Sequence, residues 1–390
     1  MQDFRALGQF YENQLLEKVM PFWLKYAVDR THGGVLNYIG DDGVLISDDK
    51  VLWSQCRALW VFSALYNHLG GEPVWLELAA RTAEFLLRYG RDREGAWVFR
   101  VTREGALLEP HQSIYVDGFA IYGLTEYVRA TGDRAALQAA IETFERTSPL
   151  LTRSDRLLTK PHPIPEGLQA HGPFMIFALA YHELGLVAKS PEILKRALEL
   201  AEIVMSQHLK PERRVLHEFV KPGGELDESD AGKTVIPAHA IESMWFMERI
   251  YSYHGNGERI RLALEAIKWH VELGWDDQYG GLYLAVHLEG GRPAWHRPDS
   301  KVWWTVTETL YALLRAYEVS RALWCLDWYR KVHEYAFRVF PNPERGDWYQ
   351  NLDREGRRIP VVVRDLPVKD PFHLPRSLLY GLLVLRRLGG

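Results

Sequence analysis

Cys56 and Cys325 are the only cysteines in 390 residues, too few for a disulfide framework or a thiolate zinc site, and their scarcity points to a reducing, cytoplasmic setting. An excess of one charge is equally missing. Lys and Arg number 47 against 51 Asp and Glu, a formal net charge of −4, so no basic phosphate-tracking surface organises the chain and nucleic acid is not an expected partner. No apolar run approaches the roughly 18 uninterrupted residues of a membrane span. The opening MQDFRALGQF also lacks the basic-then-apolar layout of a signal peptide. There is no G-x-S-x-G elbow, no Walker loop and no G-x-G-x-x-G fingerprint. What the chain does have is aromatic side chains, 14 Trp, 19 Tyr and 15 Phe, enough to fill a large core or to line a sugar site.

Apolar residues recur at i, i+3, i+4, i+7 through most of the sequence, over segments long enough to be helices. About twelve such segments start near residues 4, 51, 73, 115, 134, 173, 190, 238, 257, 301, 321 and 373. The connections between them alternate in length. Short ones carry turn and cap chemistry, as in LGGEP (69–73), TGD (131–133), VAKS (187–190) and HGNG (254–257). Long ones lie at 29–50, 92–114, 151–172, 209–236, 274–300 and 340–370. The stretches HGGVLNYI (32–39), GAWVFRVT (95–102) and YGGLYLAV (279–286) within them read as small hairpins.

This repeat of helix, long loop, helix, short loop predicts an all-α fold, a single (α/α)6 barrel over residues 1–390 with six inner and six outer helices. The helix after each long loop is the more apolar all round, as in FMIFALAYHEL (174–184), and belongs to the inner ring. All six long loops and all six inner-helix N-termini then share one face. Unpaired backbone N–H groups and positive dipole ends there favour developing negative charge.

The starts of the inner helices carry the residues capable of chemistry. KVLWSQCRALW places Trp53 and Arg57 one turn apart, and PAHAIESMWF places His239 and Glu242 at i, i+3. KVWWTVTETL brings Trp303, Trp304 and Glu308, and KDPFHLPRSL brings His373 and Arg376. Tyr115 and His171 open two further helices, and Trp348 in the last long loop joins the aromatic rim. Singly, each has a plain structural reading as core or surface pair; together at one rim they point to a site. One H-x-x-E with no second cluster of ligand spacing gives no metal centre. A glycoside hydrolase using Asp117, Glu242 or Glu308 as its carboxylate pair, and a non-catalytic sugar-binding protein, are alternatives of other classes.

The segments DKVLWSQCRALWVFSALY (49–66), IPAHAIESMWFM (236–247), WDDQYGGLY (275–283), KVWWTVTETLYALL (301–314), GDWYQNLDREG (346–356) and KDPFHLPRSLL (369–379) resemble the N-acylglucosamine 2-epimerase family, in order and over almost the whole chain. The resemblance implies an (α/α)6 barrel acting as an isomerase on a reducing sugar. N-acylglucosamine and N-acylmannosamine are the first expectation; glucose/mannose or cellobiose 2-epimerisation and mannose-type aldose–ketose isomerisation are the alternatives. It also implies that Arg57 binds substrate oxygens, that His239 and His373 are the acid/base pair, and that Glu242 is the glutamate beside them. Trp53, Tyr115, His171, Trp303, Trp304, Glu308 and Trp348 are then candidate substrate contacts. Where cellobiose epimerases carry Asn-x-His, this chain has His171 and then Pro173, closer to the N-acylglucosamine branch. No metal or redox cofactor is expected, no residue can be assigned to the ATP response of some family members, and a homodimer is the default assembly.

Overall fold

Each inner helix begins where an extended loop segment ends, and the whole architecture follows from that alternation. The computed structural model describes residues 3–152, 157–359 and 368–390. Helix α1 (Phe4–Asn13) continues through a π-helical turn, Gln14–Val19, into α2 (Met20–Tyr26). Then follow α3 (Leu52–His68), α4 (Pro73–Tyr89), α5 (Ile114–Thr131), α6 (Arg134–Thr147), α7 (His171–Ala188), α8 (Pro191–Ile203), α9 (Pro237–His254), α10 (Gly257–Gly274), α11 (Trp303–Ser320), α12 (Leu323–Val339) and α13 (His373–Gly389).

The odd-numbered helices from α3 to α13 pack each on the next, and α13 returns to α3, closing an inner ring. Helices α4, α6, α8, α10 and α12 pack outside the inner helix that precedes them, and α1 packs on α13. This is the (α/α)6 barrel expected from the loop lengths. Composition decides the layer: in α7 every residue from His171 to Gly185 is buried, whereas α8 buries only Ile193, Ala197, Leu200 and Ala201, a single stripe at i, i+4, i+7, i+8. Asp133, Ser190 and Asn256 each accept a backbone N–H in the first turn of α6, α8 and α10, so the short connections are cap sites. Among the described residues no helix is long and apolar enough to cross a membrane.

The long loops differ from the hairpins read in the sequence. Only part of each expected stretch is strand; hairpins do close within loops, as where Tyr38–Ile39 pairs with Leu45–Ser47 and Arg100–Val101 with Leu107–Glu109, but further pairs join one loop to the next. Lys50–Val51 pairs with Arg100–Val101, Gln169–Ala170 with Phe219–Val220, Thr234–Val235 with Val286–His287, and Lys301–Val302 with Asn351–Leu352. A bridge from Ser113 to Thr159 and the bond from Lys369 N–H to the Asn37 carbonyl complete a belt around the barrel mouth. The reason is local: the residues entering each inner helix are extended, and their backbone groups need partners.

Two buried aspartates repeat the same device on two of the long loops. Asp29 accepts the N–H groups of Thr31 and His32, Lys50 Nζ at 2.9 Å and Arg103 Nε at 2.9 Å. Asp276 accepts those of Gln278 and Tyr279, Lys301 Nζ at 3.0 Å and Arg354 Nε at 2.8 Å. Each aspartate is followed by a Gly-Gly pair, 33–34 and 280–281, in which both residues have positive φ. A Cβ on Gly33 would lie 2.5 Å from the Arg81 carbonyl oxygen, so glycine is required there.

Candidate active site

The inner-helix N-termini surround a cavity of about 230 Å³ on the face that carries the long loops. Helix α3 contributes Trp53 and Arg57, α5 Tyr115 and Phe119, α7 Met175 and Ile176, α9 His239 and Glu242, α11 Trp303 and Trp304, and α13 His373. The loops add Pro161, His162, Glu218, Trp295, Gln350 and Asp370 among others. Eight residues singled out from the sequence therefore meet in one place: Trp53, Arg57, Tyr115, His239, Glu242, Trp303, Trp304 and His373.

Four others lie elsewhere. Glu308 and His171 are 1% exposed and stand behind His373 and His239 rather than at the cavity surface. Trp348 is also 1% exposed, with its ring stacked 5.7 Å from Phe340 and edge-on to Phe337 at 5.1 Å. It packs under the rim, where a sugar does not reach. Asp117 is fully buried and pairs with Arg146 of α6 and His111, facing the outer layer.

The two cavity histidines borne on inner helices, His239 and His373, each rest on a carboxylate. Nδ1 of His239 lies 2.9 Å from Oε2 of Glu218, and Nδ1 of His373 lies 2.8 Å from Oε1 of Glu308. An ionised carboxylate only accepts, so Nδ1 carries the proton in both rings and Nε2 is the atom left for chemistry. The indole of Trp304 flanks both, with ring centres 6.5 Å from His239 and 5.9 Å from His373.

The two dyads differ in how readily their histidines hold a proton. Burial works against a charged His239, but Glu218, by charge and by hydrogen bond, outweighs it, with Glu242 adding to the effect; the pKa is raised. Glu218 is itself held at about 2, since the charges of His239 and His171 overcome the burial that would raise it. For His373 burial dominates, the cations Arg57 and Arg376 add to it, and Glu242 and Asp370 oppose it only in part; the pKa falls to about 3. The charge of Glu308 is shared, because the oxygen facing His373 also accepts Arg376 Nη2 at 2.7 Å and its other oxygen accepts Trp245 Nε1 at 3.0 Å. Arg376 binds Glu242 as well. A cation therefore already sits between the two carboxylates, and Glu242 is tied to Arg376 rather than to a histidine.

Arg57 is held by Asp370 at 3.1 Å, whose same oxygen accepts the Ser54 hydroxyl. Its guanidinium lies over Phe119 and Phe372, at 4.1 and 5.0 Å from the ring centres, which fixes its plane at the cavity edge. Glu218, Asp370 and the tethering role of Arg376 are absent from the sequence reading. Glu218 sits in a long loop with no helical period, and the signal available was only its place beside His217 in a segment that pairs with the one entering α7.

The hydrolase alternative loses its carboxylate pair in this geometry. Asp117 faces away, and Glu242 and Glu308 are joined through one guanidinium, whereas glycoside cleavage needs an acid and a base flanking a bond.

Comparison with known proteins identifies the family. The sequence profile of the N-acylglucosamine 2-epimerase (GlcNAc 2-epimerase) family matches residues 33–374. The N-acylglucosamine 2-epimerase of Bos taurus is 28% identical over 375 residues, covering 93% of this chain and 87% of the bovine one. A cellobiose 2-epimerase of Dictyoglomus turgidum is 24% identical over 403 residues, covering 97% and 98%. The structure of cellobiose 2-epimerase from Bacillus thermoamylovorans superposes with a TM-score of 0.84 at 20% identity, over 97% of this chain and 99% of that one, which speaks to the shared fold. A barrel rim carrying two histidine–carboxylate dyads and an anchored arginine, and a family match spanning nearly the whole length, lead to one assignment: the chain belongs to the N-acylglucosamine 2-epimerase family of isomerases.

Proposed function

We propose that the chain interconverts N-acyl-D-glucosamine and N-acyl-D-mannosamine by removing the C2 proton of the open-chain sugar and returning one to the opposite face. The observation that carries this reading is the pair of histidines on separate inner helices, each with Nδ1 fixed on a carboxylate and Nε2 free for the cavity. Inverting a carbon next to a carbonyl requires one proton acceptor and one donor on opposite sides of a planar enolate. The electrostatics support a division of roles. His373, pushed down to about 3, favours its neutral form and is the proton acceptor; His239, raised by Glu218, holds a proton more readily and is the donor. In the reverse direction they exchange.

Arg57 and the inner-helix N-termini supply positive potential for the enolate oxygen, the atom whose charge grows in the transition state. Trp53, Trp303 and Trp304 cover sugar faces, and Phe119, Met175 and Ile176 give the cavity an apolar wall suited to an acyl methyl group. Both chemical steps are proton transfers, so this scheme calls on no metal and no redox cofactor. Two buried thiols, Cys56 and Cys325, fit the reducing cytoplasm we assign to the enzyme, and a homodimer is the assembly we assign on the frequency of two-fold pairs; light scattering measures it. The deciding experiment is incubation with N-acetylmannosamine in D2O followed by proton NMR. Deuterium at C2 together with the 2-epimer is expected, whereas N-acetylmannosamine left unlabelled and unepimerised overturns the proposal; parallel incubations with mannose, read for a ketose, and with a mannoside, read for cleavage without exchange, test the alternatives.

A further inference from the structure

Behind the cavity wall, the side chain of His171 is 1% exposed and, among the described residues, neither of its ring nitrogens makes a hydrogen bond of good geometry. A neutral imidazole carries one N–H and one lone pair, and buried polar atoms of this kind are nearly always satisfied. The facing carboxylate oxygen, Oε2 of Glu218, is 3.6 Å from Nδ1, beyond hydrogen-bond range. That same oxygen takes the Nδ1 proton of His239 at 2.9 Å, and the two imidazole centres are 4.4 Å apart. One ligand atom from each of His171, Glu218 and His239 lies within 4.8 Å of the others.

These spacings suit a small divalent cation. Tetrahedral zinc, with bonds of about 2.0–2.1 Å, sets its ligand atoms about 3.3 Å apart, and two imidazoles with one glutamate are a zinc donor set that leaves a fourth position for water. The second cluster of ligand-forming side chains, Glu242, Glu308 and His373, lacks this property. Arg376 bonds both of its carboxylates, and a fixed guanidinium repels a second cation at that range. Among the described residues no lysine or arginine pairs with His171, Glu218 or His239.

We propose that His171, Glu218 and His239 form an inhibitory site for zinc-class divalent cations. Zinc there displaces the Nδ1 proton of His239 to solvent and takes the Glu218 oxygen that holds it, so the imidazole no longer shuttles protons. The inhibition rests on the epimerase reading given above; the binding does not.

The test uses untagged, metal-stripped protein and zinc chloride. Equilibrium dialysis of the wild type is expected to show one zinc per chain removable by EDTA, and His171→Gln to bind it at least about tenfold more weakly. Zinc also slows C2 exchange in the wild type. In His171→Gln the half-inhibiting concentration, relative to that variant's own metal-free rate, rises by the same factor. Wild type that retains no zinc, or variant and wild type of equal affinity, overturns the site; zinc bound without loss of exchange overturns the inhibition. Should His171→Gln fail to fold, cobalt(II) in the wild type decides, because a four- or five-coordinate nitrogen and oxygen site gives visible absorption bands whose absence refutes it. Dialysis needs no turnover, so failure of the epimerase reading would be seen separately, as an absence of C2 exchange in metal-free protein.

Discussion

Glu308 accepts the Nδ1 proton of His373 at 2.8 Å with the same oxygen that Arg376 holds at 2.7 Å. The carboxylate therefore fixes the tautomer of His373 without charging it, and this division of labour makes His373 the resting base. Glu308→Gln tests it. An amide in that place can present its NH2 to Nδ1, reverse the tautomer and leave Nε2 protonated. The expected loss is about 10²–10⁴-fold in kcat with a smaller change in KM, read by the rate of C2 exchange. Loss confined to KM refutes the assignment.

Removing either histidine should separate exchange from epimerisation. With His239→Asn, His373 still removes and returns a proton on its own face, so deuterium enters one epimer from D2O while interconversion falls by at least about 10²-fold. With His373→Asn, exchange moves to the other epimer. If both variants label the same epimer, the two histidines do not serve opposite faces.

Arg57→Ala should lower kcat/KM by about 10²–10³-fold, the size expected for one group stabilising a developing oxyanion. Arg57→Lys should recover little, because an ammonium lacks the planar stacking on Phe119 and Phe372 that holds the guanidinium. Full activity in the lysine variant, measured with saturating sugar, counts against this role.

Much of this site is legible from residue order because its parts stand at helix starts. Once long and short connections alternate, His239, Trp303, Trp304 and His373 must meet at one mouth, and they do. The partners that tune them are not legible in the same way. Glu218 and Asp370 lie in loops, where the register comes from pairing between neighbouring loops that no periodicity records. Trp348 and Asp117 show the reverse error. A tryptophan in a rim loop reads as a sugar platform until its packing on Phe337 and Phe340 is seen, and an aspartate in the first turn of an inner helix can still face outward to Arg146.

Acid should unfold the protein well before its carboxylates titrate. Burial pushes His171, His182, His270 and His333 down to about 4, and His208 and His373 to about 3. Between those values and the ordinary 6.5 the unfolded chain binds protons that the native state refuses, so stability falls as pH drops through this window and is level above it. Each histidine contributes up to about 1.4 kcal/mol per pH unit there. His239, whose pKa is raised, acts oppositely: its contribution is present below 6.5 and lost as pH rises through its folded value. Urea midpoints should therefore drop steeply from pH 7 to pH 5, and a flat profile would falsify the burial of these rings as neutral groups.

The repeated aspartate device predicts which loop charge the barrel cannot spare. Lys301 is 1% exposed, and burial lowers its pKa to about 8 even with Asp276 beside it. Asp276→Ala strands that ammonium, releases Arg354 and frees the N–H groups of Gln278 and Tyr279. Breaking a buried pair from one side typically costs about 3–5 kcal/mol, whereas replacing both partners with apolar groups costs far less. Asp276→Ala should accordingly lower the urea midpoint sharply, and adding Lys301→Met should return part of the loss. The same double replacement at Asp29 and Lys50 should behave alike, since Lys50 is fully buried against Asp29 and the Gly33 carbonyl. Equal damage from the single and double variants would mean that the turn bonds, not the buried charge, set the stability of these loops.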